Sequence, residues 1–289
     1  MKRNIMLKIF FTTLLILLCI TFCKRQTNNK LYGLQSDISE REAVTTENNR
    51  AYISHETVET STSVTETTTE EQHLSLSDVR QMPAGTILSS DDLSEIETSH
   101  LFYMESIDDD ILSRIDGISY SEDCIISLDD LRYLRVLHIG FDGETHIGEL
   151  ICNRELSEDF LEIFSKLYKY KYPIEKMLLV DEYKGDDEAS MEDNNTSCFN
   201  FRHVPGSDHL SQHAYGRAID INPLYNPYVT SEGFTPYNAE EYLDRSKDFP
   251  YKIYSDDYCY ELFTDYGFTW GGNWNSVKDY QHFQKKEEN

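Results

Sequence analysis

Two short stretches near the end of the chain carry the residue types that metal-assisted hydrolysis needs. Ser211-Gln212-His213-Ala214-Tyr215-Gly216-Arg217-Ala218-Ile219-Asp220 supplies one imidazole and one carboxylate, and Asp279-Tyr280-Gln281-His282 supplies another of each. Zinc accepts neutral imidazole nitrogen and carboxylate oxygen, and a catalytic zinc site uses three protein ligands while its fourth position stays open for water. His213, Asp220 and His282 would provide those three, for one Zn2+. Asp279 is then left as the base for a water whose pKa the ion lowers to about 7. The expected chemistry is hydrolysis. Because imidazole binds metal only when neutral, affinity is expected to fall as the pH drops through the ordinary His range at about 6.5.

The spacing says how these residues must be held. His213 and Asp220 are separated by an odd number of positions, so one uninterrupted strand would point them to opposite faces. Gly216 and Asn222-Pro223 punctuate the segment, and 217–221 reads as a short strand. His213 therefore belongs on the incoming loop and Asp220 on the strand, with the turn at Gly216 bringing them together. Asp279 and His282 meet the same parity problem, which places Asp279 at a bend before a strand that begins near Gln281.

The pattern Ser-x-His-x-x-Gly-x-Ala-x-Asp, followed by an acidic residue, two positions and a second His, is present as Ser211, His213, Gly216, Ala218, Asp220, Asp279 and His282. It resembles the zinc D-alanyl-D-alanine carboxypeptidases and dipeptidases, together with the related L-alanyl-D-glutamate endopeptidases of phage and bacterial lysins. The flanks Asp193-Asn194-Asn195-Thr196-Ser197, Phe199-Asn200-Phe201-Arg202, Ile221-Asn222-Pro223, Asn226-Pro227-Tyr228, Trp270-Gly271-Gly272 and Tyr280-Gln281-His282-Phe283 look like one bacterial branch of that family. The likeness covers the second half of the chain. It implies His213, Asp220 and His282 as ligands and Asp279 as general base. It also implies Arg202 as the arginine that holds a substrate carboxylate or the oxyanion, and a hydrogen-bonding or substrate role for Ser211. Apart from the resemblance, Tyr215 is a candidate to line a substrate groove, with packing as its competing role. The fold it implies is the zinc DD-peptidase, hedgehog-like fold.

Plainer roles compete for several of these residues. Ser211 can cap a turn, and Arg202 can be an ordinary arginine paired with one of the many acids. Trp270 beside Gly271-Gly272 reads as a packing residue next to a close bend. His203 and His209 read as polar loop residues without a metal role.

The rest of the chain divides by composition. Residues 1–23 open with Lys2, Arg3 and Lys8 and continue as an apolar run, short for a membrane span of about 20 residues, so they read as a signal peptide or a membrane or lipid anchor. Residues 24–100 are rich in Ser, Thr, Glu, Asp and Asn and read as a disordered spacer. Residues 101–289 form the expected catalytic domain, an α+β fold of helices packed on a mainly antiparallel sheet. Within it, 132–141 and 145–152 read as strands around the Asp142-Gly143 turn, 155–170 as an amphipathic helix with Leu156, Phe160, Ile163 and Leu167 inward, 174–180 as a buried strand, 181–195 as an acidic loop, 197–202 as a strand, and 256–265 as a second helix.

A balance of 26 Lys+Arg against 52 Asp+Glu gives a net charge of −26. Such a surface repels nucleic acid and anionic lipid. Cys124, Cys152, Cys198 and Cys259 allow two disulfides of undetermined pairing, and without a Cys-x-x-Cys pair they do not suggest a structural zinc site. Taken with the resemblance, the expectation is a monomeric, extracytoplasmic zinc peptidase tethered at its N-terminus and acting on peptidoglycan peptides, most simply as a D-Ala-D-Ala carboxypeptidase. An L-alanyl-D-glutamate-type endopeptidase and a non-catalytic wall-binding module are the alternatives.

Overall fold

In the computed structural model, residues 74–286 are described. The expected leader at 1–23 and the spacer as far as residue 73 lie outside them. The chain forms α1 (Leu76–Gln81), β1 (Ile87–Leu88), β2 (Tyr103–Glu105), α2 (Asp109–Ile115), β3 (Leu131–Ile139), β4 (Thr145–Asn153), α3 (Ser157–Tyr170), α4 (Asp187–Glu192), β5 (Ala218–Asp220), β6 (Tyr228–Val229), β7 (Phe234–Thr235), α5 (Tyr258–Asp265), β8 (Thr269–Trp270), β9 (Lys278–Asp279) and β10 (His282–Gln284). The strands make three antiparallel sheets, ordered β1-β4-β3-β2, β5-β10-β8 and β7-β6-β9. This is the expected mixture of helices and antiparallel sheet. Among the described residues no helix is long and apolar enough to cross a membrane.

The β3–β4 hairpin is the scaffold. Gly143 turns it at φ 83°, a left-handed conformation that glycine adopts without steric cost. Its strands are buried along most of their length because both faces are covered. On one face, α3 packs Phe160, Ile163, Phe164 and Leu167 against Leu134, Val136, Leu150 and Cys152 in a core that also holds Trp270 and Phe283 of the small sheet. Each such side chain contributes about 1.5–3 kcal/mol by leaving water, so this core fixes the small sheet against the hairpin. α3 ends where Lys171 turns left-handed at φ 58°, just before Pro173. On β3, His138 is 3 % exposed and its Nδ1–H donates to the Ile174 carbonyl at 2.8 Å.

Several expected elements take a different form. Residues 74–100, which composition assigns to the spacer, are part of the folded body. Val79 and Leu88 are buried with Leu101, Leu137 and Ile147, and β1 pairs with β4. The few inward apolar residues of this stretch are scattered among polar ones, so an average over the segment hides them. Residues 174–180 are largely buried but form no strand. They meet their neighbours at single points: the Ile174 amide donates to the Ile139 carbonyl, Lys176 bridges Asn195, and the Met177 carbonyl accepts from the Glu149 amide. The same holds for 197–202, which bridges β5 only at Ser197 and Asp220. The acidic stretch 181–195 contains α4, started by Asp186, whose side chain accepts from the Ala189 amide. Cys124, Cys152, Cys198 and Cys259 are free thiols.

Candidate metal centre

His213 stands on a 3-10 turn, Gln212–Tyr215, capped by the Ser211 side chain, which accepts from the His213 amide at 3.3 Å. Gly216 closes the turn at φ 64°, and a β-carbon there would lie 2.5 Å from the Asn153 amide nitrogen at the end of β4. Only glycine fits both the backbone angle and the close approach. The chain then enters β5, whose last residue is Asp220. Asp220 and His282 are cross-strand partners of β5 and β10, so their side chains share one face of the small sheet. The turn at Gly216 thus resolves the parity conflict, with His213 on a helical turn rather than a plain loop.

The three side chains converge. His213 Nε2 lies 3.2 Å from His282 Nδ1 and 3.3 Å from Asp220 Oδ2, and His282 Nδ1 lies 3.0 Å from Asp220 Oδ1. Ligands at tetrahedral zinc distances are about 3.3 Å apart, and the two imidazole nitrogens meet that spacing while each faces a different oxygen of Asp220. All three residues are buried, at 4, 7 and 6 % exposure for His213, Asp220 and His282. Among the described residues theirs is the one group of His, Cys, Asp and Glu side chains close enough to hold a metal.

The outward ring nitrogens are consistent with that use. His213 Nδ1–H donates to the Cys198 carbonyl at 2.6 Å, and His282 Nε2–H donates to Gln284 Oε1 at 3.2 Å. Each bond commits the far nitrogen to carrying a hydrogen, so the near nitrogens are the ones that can present lone pairs to a cation. Without a cation, a proton takes that place. Although burial opposes its charge, the adjacent Asp220 carboxylate raises His282 to about 9. Asp220 is itself buried, but His213 and His282 hold its carboxyl far below the usual range.

Asp279 lies at the end of β9, paired with Tyr228 of β6. Its Oδ1 is shielded from water and has no hydrogen-bond partner. Burial raises this carboxyl to about 7, with Asp220 adding to the rise and His282 and His213 opposing it. A buried carboxylate oxygen without a donor is costly, and here it sits beside three side chains that could hold a metal, which suits a group whose partner is a water or substrate proton. Lys278 and Asp279 form a two-residue strand of their own, and the chain bends after it into β10, so the bend follows Asp279.

The remaining expected site residues are less central. Arg202 lies alongside the His213 turn, with its carbonyl accepting from Ser211 and the neighbouring Asn200 amide donating to the His213 carbonyl. Its guanidinium forms an ion pair with Asp187 of α4, and its buried Nε–H has no acceptor. Tyr215 is half-buried at the end of the turn, its carbonyl tied to Asn153. His203 and His209 are exposed, and Trp270 is packed in the core. Sequence reasoning passed over Gln284, which the alternation of β10 places on the His282 face, and the Cys198 carbonyl, which carries no side-chain signal at all.

Residues 205–285 match the family model described as D-alanyl-D-alanine carboxypeptidase. The matched span holds all three donors and Asp279, and it supports both the resemblance carried by the motif and a peptidase activity. Comparison with curated proteins and with solved structures gave no match.

Proposed function

We propose that the chain is a cell-envelope zinc metallopeptidase that hydrolyses peptidoglycan stem peptides as a D-alanyl-D-alanine carboxypeptidase, exported and tethered through its N-terminal residues, and that its catalytic body has the zinc DD-peptidase, hedgehog-like fold. The observation that carries this is the pairing of a buried three-residue donor group with a neighbouring carboxyl whose Oδ1 has no partner. A wall-binding module that merely kept a metal would have no use for a buried Asp279 whose Oδ1 is left without a partner.

His213, Asp220 and His282 would hold one zinc ion. Bound zinc supplies a Lewis acid and makes a water acidic enough to lose its proton near neutral pH. Asp279 Oδ1 accepts that proton and returns it to the leaving amine, a role favoured by a carboxyl that burial has raised toward the working pH. Cys198 and Gln284 keep the two imidazoles oriented. Arg202, with an N–H to spare, steadies the substrate carboxylate or the oxyanion.

The test is to incubate the full chain with muropeptides, with and without a chelator, and to identify products by mass spectrometry. Loss of a terminal D-Ala that stops on chelation is the expected result. Cleavage inside the stem would replace the carboxypeptidase assignment with the endopeptidase one, and binding without cleavage would replace the enzyme with a module.

A further inference from the structure

We infer that Asp187 is a positioning residue that aims the Arg202 guanidinium at a carboxylate of the peptide substrate and so sets the enzyme's preference for that carboxylate. The inference rests on the peptidase reading above and adds to it the residue that makes the arginine selective.

Arg202 ends a segment that runs beside the His213 turn, joined to it by Asn200 N–H to the His213 carbonyl at 3.2 Å and Ser211 N–H to the Arg202 carbonyl at 3.0 Å. Its backbone is therefore fixed relative to a metal ligand, and only the long side chain is free to choose a direction. Asp187 makes that choice. One of its carboxylate oxygens takes the Arg202 terminal NH2 group, and the other accepts from Asn200 Nδ2 at 3.1 Å. Asn200 thus ties the acid to the same segment that carries the arginine, so Asp187 bridges two side chains two residues apart.

The grip is one-sided. With NH2 held, Nε–H is buried and has no acceptor. Guanidinium binds carboxylate through adjacent N–H groups in a flat fork, so an Nε–H held without a partner marks the edge left for an anion. The acid's platform is also rigid. The Met191 sulfur of α4 contacts Gln281 Nε2 at 3.4 Å, next to His282, and the Glu188 carboxylate of α4 accepts from the Tyr237 amide at 2.6 Å. α4 is thus braced against the strand that carries the second imidazole.

The experiment compares the full chain, loaded with zinc, on an acylated peptide ending in D-Ala-D-Ala as the free acid and on the same peptide as the C-terminal amide. Wild type is expected to prefer the acid. Asp187→Ala should lose about tenfold or more in kcat/KM on the acid, mainly through KM, and its acid-over-amide preference should shrink by the same factor while zinc content and melting temperature hold. Asp187→Asn, which retains the volume and the Asn200 contact, should move in the same direction by less. Arg202→Ala combined with Asp187→Ala should be no worse than Arg202→Ala alone. An unchanged preference in both Asp187 variants, or a wild type indifferent to the carboxylate, would overturn the assignment while the peptidase reading stands. No hydrolysis of either peptide by wild type would remove the peptidase reading, and this inference with it.

Discussion

The backbone of Asp279 runs directly against Gly271: a β-carbon on the glycine would lie 2.6 Å from the Asp279 carbonyl oxygen and 2.7 Å from its Cβ. Gly271 is not at a positive φ, so its constraint is one of space rather than conformation. Because the obstructing atoms are mostly backbone, Gly271→Ala must displace Asp279. A shift of about 1 Å at a catalytic group can cost on the order of 10²-fold in rate. The expected outcome is a fall of that order in kcat with zinc still bound, measured by steady-state kinetics beside metal analysis. An unaltered kcat would mean that the position of Asp279 is unimportant.

Zinc uptake should release protons. His282 is raised to about 9 by Asp220, so it is charged at pH 7, and it must become neutral to bind metal. Below about pH 9, affinity should therefore climb with pH, a higher window than the ordinary His value of about 6.5 would give. Calorimetry at pH 7 in buffers of different ionisation enthalpy should show about one proton or more released per zinc. Zero release would remove His282 from the ligand set. His213→Ala should lose most of the metal, and Gln284→Ala, which frees the outward nitrogen of His282, should weaken binding by about 10–100-fold.

The grouping of His213, Asp220 and His282 was readable in the sequence because its logic is local. Two short segments carried the donors, glycine marked the turn, and parity showed that no single strand could hold both His213 and Asp220. The hairpin and α3 were readable for a similar reason, since Asp142-Gly143 and the recurrence of Phe160, Ile163 and Leu167 are short-range patterns. What stayed hidden depends on distant chain. Residues 174–180 look like a strand because they are apolar, yet their partners meet them at single points. Asp187 looks like one acid among many until the fold sets it against Arg202. Burial alone raises no motif, so the partnerless oxygen of Asp279 could be found only in three dimensions.

The N-terminal boundary of the folded body is open to direct test. A chain beginning at residue 74 should be more stable than one beginning at residue 101, which lacks buried Val79 and Leu88 and the β1 strand on the edge of β4. Two such side chains correspond to about 3–6 kcal/mol at most, and the Met82 carbonyl that accepts from Arg135 at 2.6 Å is lost as well. Equal urea midpoints for the two chains would show that residues 74–100 add nothing to the fold.

His138 should make the fold acid-sensitive. Burial lowers its pKa to about 3, so the unfolded chain, with an ordinary His value of about 6.5, binds the proton more readily. The neutral ring's contribution is full above pH 6.5, falls as the pH drops below that, and is exhausted near pH 3. At pH 5 the loss is about 2 kcal/mol. His138→Asn, which can still donate to the Ile174 carbonyl, should flatten the stability profile between about pH 7.5 and 5 by that amount. Denaturant titrations at the two pH values should show the difference, and parallel profiles would mean that His138 titrates normally in the folded protein.

Asp279 decides between an enzyme and a module. It stands outside the three-donor group, so Asp279→Asn should leave zinc content unchanged. The substitution preserves size but removes the basic lone pair, and general acid–base catalysis contributes about 10²–10⁴-fold, so kcat should drop by at least that order. Asp279→Glu restores the chemistry with one added methylene, and it should recover part of the rate. The unpartnered Oδ1 gives the experiment a second readout. A structural carboxylate would be expected to have both oxygens hydrogen-bonded and to destabilise the fold when replaced, whereas Oδ1 here has no donor and the Gln281 side chain supports the carboxyl. Asp279→Asn should therefore melt close to the wild-type temperature while its activity collapses, since a charge that burial disfavours has been removed. Wild-type turnover in Asp279→Asn would show that the proton goes elsewhere.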